Sequence, residues 1–246
     1  MTSAQHFLGI DACRGGWIGV SMTNDFAYTN DIHFWPNAAA LFFDLPRWQS
    51  ALIDMPIGLT DEESGIRACE PLARNMLGAK RSSIFSPPVR AALHAQSYAE
   101  ACRINAHLCG KKISKQAWNI VPKIREIDAI LRQKPELQTR VRESHPELCF
   151  CQLNDQKPIL PKKKAGAGQQ KRLDVLEKYS ANAKAFLSTN IAAFPRKIIA
   201  IDDIIDAMVL ALTAALGTQN GFQVLPENPE SDRHGLRMEM VFAAGN

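Results

Sequence analysis

Apolar and polar residues follow one another in short runs near the start of the chain, and this pattern predicts strands. Four runs have the length and the turn-forming flanks of strands: 6–12, 17–22, 27–34 and 51–55. Gly15 and Gly16 separate the first two runs, which suits a tight hairpin between antiparallel strands. A short helix starting near Asn37 leads to the fourth run, which is apolar and closed by Pro56, as expected of a buried central strand.

Residues from 60 to about 140 have a mainly helical pattern. The clearest helix spans 117–133, where apolar residues recur at helical spacing and Pro122 is expected to start or kink the helix. Strand-like sequence resumes at 141–148 (VRESHPEL). We therefore interpret the stretch from 60 to about 140 as a helical insertion into the sheet of a single α/β domain covering residues 1–246.

The last third of the chain predicts two further helices. One runs through 172–179, and a strongly apolar one starts at Asp202 or Asp203 and extends to Leu216, where Gly217 is expected to end it. Two later stretches have an extended pattern: 222–226 and 236–242.

The composition fits a folded protein with a sizeable core. Of the 246 residues, 46% are hydrophobic, and this length is near the upper end of what one core supports. The 29 Lys and Arg residues against 25 Asp and Glu give a formal charge of +4. This mildly basic balance permits a phosphate-bearing partner without requiring one.

Cysteine spacing and hydropathy indicate the compartment. The six cysteines lack zinc-finger spacing, so we interpret them as reduced thiols. The N-terminus lacks the basic start and apolar stretch of a secretory signal, and the longest apolar run, 207–216, is far shorter than the ~20 residues of a membrane-spanning helix. We therefore expect a cytoplasmic protein that does not enter a membrane, and a homodimer is compatible with the sequence.

Two acidic residues come at the ends of apolar runs. Asp11 follows the first predicted strand and Asp54 lies near the end of the fourth. Burying an ionised carboxylate is costly unless a cation or hydrogen-bond donors compensate it, so two such acids favour a shared cation. A local alternative stands for each: Asp11 accepts N–H groups of the turn at Gly15 and Gly16, and Asp54 forms an Asx-turn before Pro56.

Further acids lie in the second half of the chain. Glu143 falls on the predicted strand 141–148, and β alternation would place His145 on the same face. The alternative role of Glu143 is to pair with Arg140 or Arg142. Three acids also cluster at the start of the last helix: Asp202, Asp203 and Asp206. Helix capping explains Asp202 and Asp203 better than Asp206.

Basic residues concentrate in two segments, 78–90 and 161–172. Both contain side chains that could hold phosphate oxygens, with Ser82 and Ser83 nearby in the first: Lys80, Arg81, Arg90 and Lys163. The alternative for either segment is a solvated surface.

Five motifs resemble, in order, those of a large family of predicted ribonuclease H-like nucleases known as domain-of-unknown-function family 429. They are LGIDACRGGWIGV, LIDMPIGL, RxCExxARxxLGxxxSSIF, ESHPELCF and DDIIDAMVLAL. The resemblance implies a ribonuclease H-like mixed five-stranded sheet with helices on both faces. It also implies that four acids converge to bind metal: Asp11, Asp54, Glu143 and Asp206.

The last motif is also similar to that of the Holliday-junction resolvases of this superfamily, in which acids one turn apart complete the metal site. This similarity makes Asp203 the companion of Asp206 and leaves Asp202 as the cap. Arg14, close behind Asp11, departs from the expected pattern and would either bind phosphate or partly neutralise the site.

The resemblance and the acids together predict a metal-dependent nuclease acting on DNA or RNA. Two Mg²⁺ or Mn²⁺ ions would activate water and stabilise the leaving oxygen, and hard oxygen ligands favour these metals over zinc. Two alternatives remain open at this point. One is an actin-like ATP-binding phosphotransferase, an architecture that normally needs two copies of the core, and the other is a non-catalytic nucleic-acid-binding protein.

Overall fold

A computed structural model describes residues 5–61 and 66–245, with the backbone alone at 30 and 31. Five strands form one mixed sheet in the order β3-β2-β1-β4-β5. Their bounds are β1 His6–Cys13, β2 Gly16–Thr23, β3 Tyr28–Trp35, β4 Ser50–Ile53 and β5 Val141–Glu143. The first three strands are antiparallel to one another, whereas β4 runs parallel to β1 and β5 parallel to β4. The four strands predicted near the start of the chain are therefore confirmed to within two residues at each end.

Eight α-helices are present in the described residues. Their bounds are α1 Ala38–Asp44, α2 Cys69–Leu77, α3 Tyr98–Cys109, α4 Lys115–Gln133, α5 Pro146–Leu153, α6 Gly166–Glu177, α7 Ala183–Asn190 and α8 Ile201–Asn220. A second, two-stranded sheet pairs β6 Gln223–Leu225 with β7 Met240–Phe242. None of the helices in this described part is long and apolar enough to cross a membrane.

Helices cover both faces of the five-stranded sheet. Leu8 and Ile10 of β1 point to one face and pack in a cluster with Ile124 and Ile127 of α4. Phe7 points to the other face and packs with the apolar residues of α8. The stretch from 60 to 140 therefore supplies α4 as the cover of one face, which explains its helical apolar spacing. Pro122 lies inside α4 and not at its start.

Helix α8 packs unusually close to the central strand. A Cβ atom on Gly9 would lie 2.0 Å from the Ala207 carbonyl oxygen and 2.3 Å from the Ala211 nitrogen. Only glycine allows this approach, which brings the start of α8 to the end of β1. The expected end of α8 at Gly217 is wrong, because the helix continues to Asn220. Gly217 instead makes room for the Phe222 ring, since a Cβ atom on this glycine would lie 2.1 Å from the ring.

Candidate metal centre

The main chain places the first two acids side by side. Asp11 belongs to β1, and Asp54 follows β4, the parallel neighbour of β1. The Asp54 N–H donates to the Ile10 carbonyl oxygen at 3.0 Å, so the hydrogen bonds between β1 and β4 continue up to the two acids. Parallel strands bring their carboxyl ends to one edge, and the close packing of α8 over Gly9 adds Asp206 there.

These acids lie in an environment that disfavours their negative charge. Burial, followed by repulsion from Asp54 and Asp206, raises the pKa of Asp11 well above its ordinary value. Burial likewise raises the pKa of Asp206 to about 7, even though the Lys163 ammonium opposes this shift. Asp11 and Asp206 are only 6% and 2% exposed. The cluster therefore has a strong requirement for positive charge.

Lys163 supplies part of that positive charge. Its Nζ lies 2.6 Å from Asp206 Oδ2 and 3.8 Å from Asp202 Oδ2. Burial by itself would lower the pKa of Lys163, but Asp206 and Asp11 outweigh burial and raise it. The sequence predicts Lys163 as a phosphate ligand; the structure shows that its ammonium is bound to carboxylates of the site.

Glu143 is held by a residue that the sequence reasoning did not identify as functional. Its Oε2 accepts hydrogen bonds from the Ile57 N–H and from the Arg67 guanidinium, both at 2.6 Å. Burial raises the pKa of Glu143 to about 8, against the opposing effect of Arg67. Glu143 therefore pairs with neither Arg140 nor Arg142. The position of Arg67 at the start of the RxCE segment is the sequence signal that could have identified it.

A compact group of possible metal ligands surrounds Glu143. Cys69, Glu70 and Glu143 are buried, and their ligand atoms lie within 4.8 Å of one another, so this group could hold a metal ion. The Arg67 guanidinium contacts each of them, at 3.0 Å from Cys69 Sγ, 3.1 Å from Glu70 Oε1 and 2.6 Å from Glu143 Oε2. Burial also raises the pKa of the Cys69 thiol, which opposes its use as a thiolate ligand.

The acids border a cleft. A cavity of about 210 Å³ is lined by Asp11, Asp54, Glu70 and Glu143, and an adjoining one of about 460 Å³ is lined by Asp54, Asp206 and Lys163. The opposite wall comes from the stretch between β4 and β5: Ser82, Ser83, Phe85, Ser114 and Gln116. The cleft is large enough for a small ligand or a single nucleotide.

The donors around the cleft are of the hard type that divalent cations bind. These donors are carboxylate oxygens. Two of the buried carboxylate oxygens in cleft-lining residues have no hydrogen-bond partner within residues 5–61 and 66–245, namely Glu70 Oε2 and Glu147 Oε2. In the same part of the chain, the ligand atoms of Asp11, Asp54 and Asp206 do not all lie within 4.8 Å of one another, so these three acids form a less compact group than Cys69, Glu70 and Glu143.

The start of α8 differs from its prediction. Asp203, and not Asp202, accepts the hydrogen bond of the helix start, from the Ala200 N–H at 2.9 Å. Asp202 instead faces Lys163 beside Asp206. Asp203 also adds a smaller repulsion to Asp11, so it lies near the site even though its carboxylate caps the helix.

His145 does not share a strand face with Glu143. Strand β5 ends at Glu143, and Pro146 begins α5, since proline is well suited to the first turn of a helix. His145 is the N-cap, where its Nδ1 accepts from the Glu147 N–H at 3.2 Å. It nevertheless lines the cleft together with Asp54.

The predicted phosphate ligands fall into different environments. Arg90 is 4% exposed and forms ion pairs with three acids, so its guanidinium is engaged inside the fold and its role in binding substrate stays a prediction. Its partners are Asp61 at 3.0 Å, Asp128 and Asp232. Arg81 is exposed and Lys80 half-buried in the 3-10 helix Gly78–Ser83, which leads to the cleft wall. Arg14 is exposed in the turn after β1.

Comparisons with known proteins give a family but no described activity. Searches of curated proteins and of solved structures find no match to this chain. A family model described as "Protein of unknown function (DUF429)" matches residues 9–231, a span that includes every acid of the site. The chain therefore belongs to this family of unknown function.

Proposed function

We propose that the protein is a divalent-metal-dependent nuclease with a ribonuclease H-like fold. The observation that carries this proposal is the convergence of Asp11, Asp54 and Asp206 beside one cleft, where the Lys163 ammonium contacts Asp206. The mixed five-stranded sheet with helices on both faces supports the fold assignment.

Each group of the cleft has a distinct part in the proposed reaction. Asp11, Asp54 and Asp206 would hold Mg²⁺ or Mn²⁺, with Asp203 close by. When bound, the metal would lower the pKa of water and stabilise charge on phosphodiester oxygens. Glu143 shapes the floor of the cleft while Arg67 fixes its carboxylate, so its role as a direct ligand is less favoured than that of the three aspartates.

The opposite wall of the cleft supports a nucleic-acid substrate. Ser82 and Ser83 can donate to phosphate oxygens, and the 3-10 helix that carries them also carries Lys80 and Arg81. Phe85 offers an aromatic face for a base. DNA and RNA remain equal candidates on these contacts.

The phosphotransferase alternative has less support. An actin-like architecture normally uses two copies of the core, and residues 5–61 and 66–245 form one five-stranded sheet and one two-stranded sheet. A non-catalytic nucleic-acid-binding protein would not need Asp11 and Asp206 buried beside a cleft, because burying them costs stability.

A cleavage assay tests the proposal. The purified protein is incubated with single-stranded, duplex and branched DNA and RNA, and with ATP, in Mg²⁺, Mn²⁺ or Ca²⁺. We expect polynucleotide cleavage with Mg²⁺ or Mn²⁺, none with Ca²⁺, and its loss in Asp11→Asn and Asp206→Asn. Asp155→Asn, a change of an exposed acid after α5, is the matched control and should cleave like the wild type.

Two results would contradict the proposal. If every polynucleotide remains intact in Mn²⁺, the nuclease function fails. If Asp11→Asn cleaves as fast as the wild type, the activity does not come from this site. Turnover of ATP without cleavage would favour the phosphotransferase.

A further inference from the structure

Positive charge is concentrated around the mouth of the cleft. Three segments of the chain each supply residues that line the cleft, and we call them together the basic rim: 78–86, 110–116 and 161–166. These segments contain eight of the 29 Lys and Arg residues of the protein and none of its 25 Asp and Glu residues. In a chain with a formal charge of only +4, this separation of charge gives the acidic cleft a positive border.

Most of the charge on the basic rim has no partner inside the protein. Lys163 pairs with Asp206, and the Lys115 ammonium lies 3.7 Å from the centre of the Tyr98 ring. The other six cationic side chains form no ion pair within residues 5–61 and 66–245: Lys80, Arg81, Lys111, Lys112, Lys162 and Lys164. Five of these six are exposed, and Lys80 is half-buried. Their charges are therefore available to an anionic partner.

The loop between α3 and α4 presents two of these lysines, Lys111 and Lys112, on a fixed main chain. The buried Asn105 donates from Nδ2 to the Lys111 carbonyl oxygen at 2.7 Å. The Tyr98 hydroxyl donates to the carbonyl oxygen of Ile113, which is itself buried, at 3.0 Å. Because the loop is already ordered, phosphate binding by its lysines carries a smaller entropic cost.

Lys162 and Lys164 are held in a similar way on the other side of the cleft. A Cβ atom on Gly168 would lie 2.0 Å from the Lys162 carbonyl oxygen, so the start of α6 packs directly on this loop. The Ala165 N–H also donates to that carbonyl at 3.0 Å. Burial raises the pKa of Asp203 and the Lys164 ammonium opposes this shift, so Lys164 lies within electrostatic reach of the start of α8. Cations therefore border the cleft on both sides.

The space between the two sides suits an unpaired strand. The two adjoining cavities, of about 210 and 460 Å³, are of nucleotide size, and the half-buried Phe85 lines both of them. A single strand can stack a base on this ring while its phosphates stay at the border, whereas the bases of a duplex remain paired with one another. An acidic peptide would match the charge of the border, but the ring of Phe85 beside the hydroxyl donors of Ser82 and Ser83 favours a base with its phosphate.

Resting on the nuclease function proposed above, we propose that the substrate is a single polynucleotide strand that crosses the cleft, with its phosphates bound by the basic rim on both sides. Lys111 and Lys112 bind the backbone on one side, and Lys162 and Lys164 bind it on the other. Since these residues contact phosphates, the strand is held without preference for its base sequence. A mononucleotide is too short to reach both sides, so the protein acts on strands and not on free nucleotides.

Length dependence of binding tests this inference without cleavage. Binding is measured in Ca²⁺ by the fluorescence anisotropy of labelled oligonucleotides. The ligands are a dinucleotide, single strands of DNA and RNA of about 12 nucleotides, and a duplex of the same length. We expect the long single strands to bind more tightly than the dinucleotide by about tenfold or more, because they reach both sides of the basic rim.

Removal of two charges from the α3–α4 loop tests the residues. In the double variant Lys111→Met with Lys112→Met, we expect the affinity for the long single strands to fall by about tenfold or more at low salt. The slope of log K against log salt should become shallower by about 1.4, the value for two phosphate contacts on a single strand. Lys111→Arg with Lys112→Arg keeps the charge and should bind like the wild type.

The matched control removes two exposed lysines at the far ends of the same helices, in the double variant Lys134→Met with Lys178→Met. Lys134 follows the last residue of α4, a helix of 19 residues and thus about 28 Å long, and Lys178 follows the last residue of α6. This variant has the same net charge as Lys111→Met with Lys112→Met. We expect it to keep wild-type affinity and salt dependence.

The outcomes separate this inference from the proposed function. Equal affinity for the dinucleotide and the long strand, or a loss in Lys111→Met with Lys112→Met no larger than in the control, would overturn the inference even if the wild type cleaves. Tighter binding of the duplex, or displacement of the strand by polyglutamate, would assign the basic rim to another partner and overturn it as well. The expected binding without cleavage of any polynucleotide in Mn²⁺ would support the strand-binding rim and overturn the nuclease function.

Discussion

Removal of the Arg67 guanidinium is expected to destabilise the protein strongly. Arg67 and its two acidic partners, Glu70 and Glu143, have side chains only 1–2% exposed. Arg67→Met would leave both carboxylates in the core without a counter-charge, and breaking a buried ion pair in this way typically costs about 3–5 kcal/mol. This is a large part of the total stability of about 5–15 kcal/mol that domains have.

The loss should grow with pH, and the sign follows from proton binding. Even with Arg67 present, burial raises the pKa of Glu143 to about 8 from an ordinary value of 4.5. Without Arg67 this pKa rises further, so above pH 8 the folded variant keeps a proton that the folded wild type and the unfolded chain have both released. Raising the pH therefore favours unfolding, by up to about 1.4 kcal/mol per pH unit for each such proton.

Urea unfolding followed by tryptophan fluorescence at pH 7 and pH 9 measures this effect. We expect Arg67→Met to lose more stability relative to the wild type at pH 9 than at pH 7, and the double variant Arg67→Met with Glu143→Gln to recover a good part of it. Arg47→Met is the control, because Arg47 is exposed and lies 3.9 Å from Asp44. An Arg67→Met protein within about 1 kcal/mol of the wild type at pH 9 would refute the reasoning, since a broken buried pair costs more.

Four further tests address other parts of the structure. Gly9→Ala should destabilise by about 1–3 kcal/mol, because its Cβ overlaps the α8 backbone, and an unchanged melting temperature would contradict that close packing. Arg90→Met should cost about 3–5 kcal/mol in urea unfolding. Arg81→Ala should instead weaken nucleic-acid binding at low salt without loss of stability. Weaker binding with unchanged stability in Arg90→Met, together with unchanged binding in Arg81→Ala, would indicate that Arg90 is the ligand. Millimolar Mn²⁺ should raise the melting temperature, less so in Asp11→Asn, and curves indifferent to Mn²⁺ would argue against the metal site.

The sequence alone predicts the elements that local patterning controls. The first four strands, α4 and α8 follow from apolar spacing, since each buries one face or stripe against a neighbour. Asp11 and Asp54 are also recognisable from sequence, because an acid directly after a buried strand is costly without compensation. The end of β5 cannot be recognised from the sequence, since strand-like residues continue past Glu143. The boundary is set by Pro146, which favours the start of a helix.

Only the tertiary structure decides which charges meet. Glu143 and Arg67 are 76 residues apart, and Asp206 and Lys163 are 43 apart, so no local pattern joins them. A basic segment has the same sequence pattern whether its side chains lie in water, as Arg81 does, or pair with buried acids. The folded chain selects between these outcomes because a charge removed from water must be matched by an opposite charge at contact distance, and that distance is set by how the sheet and its helices pack.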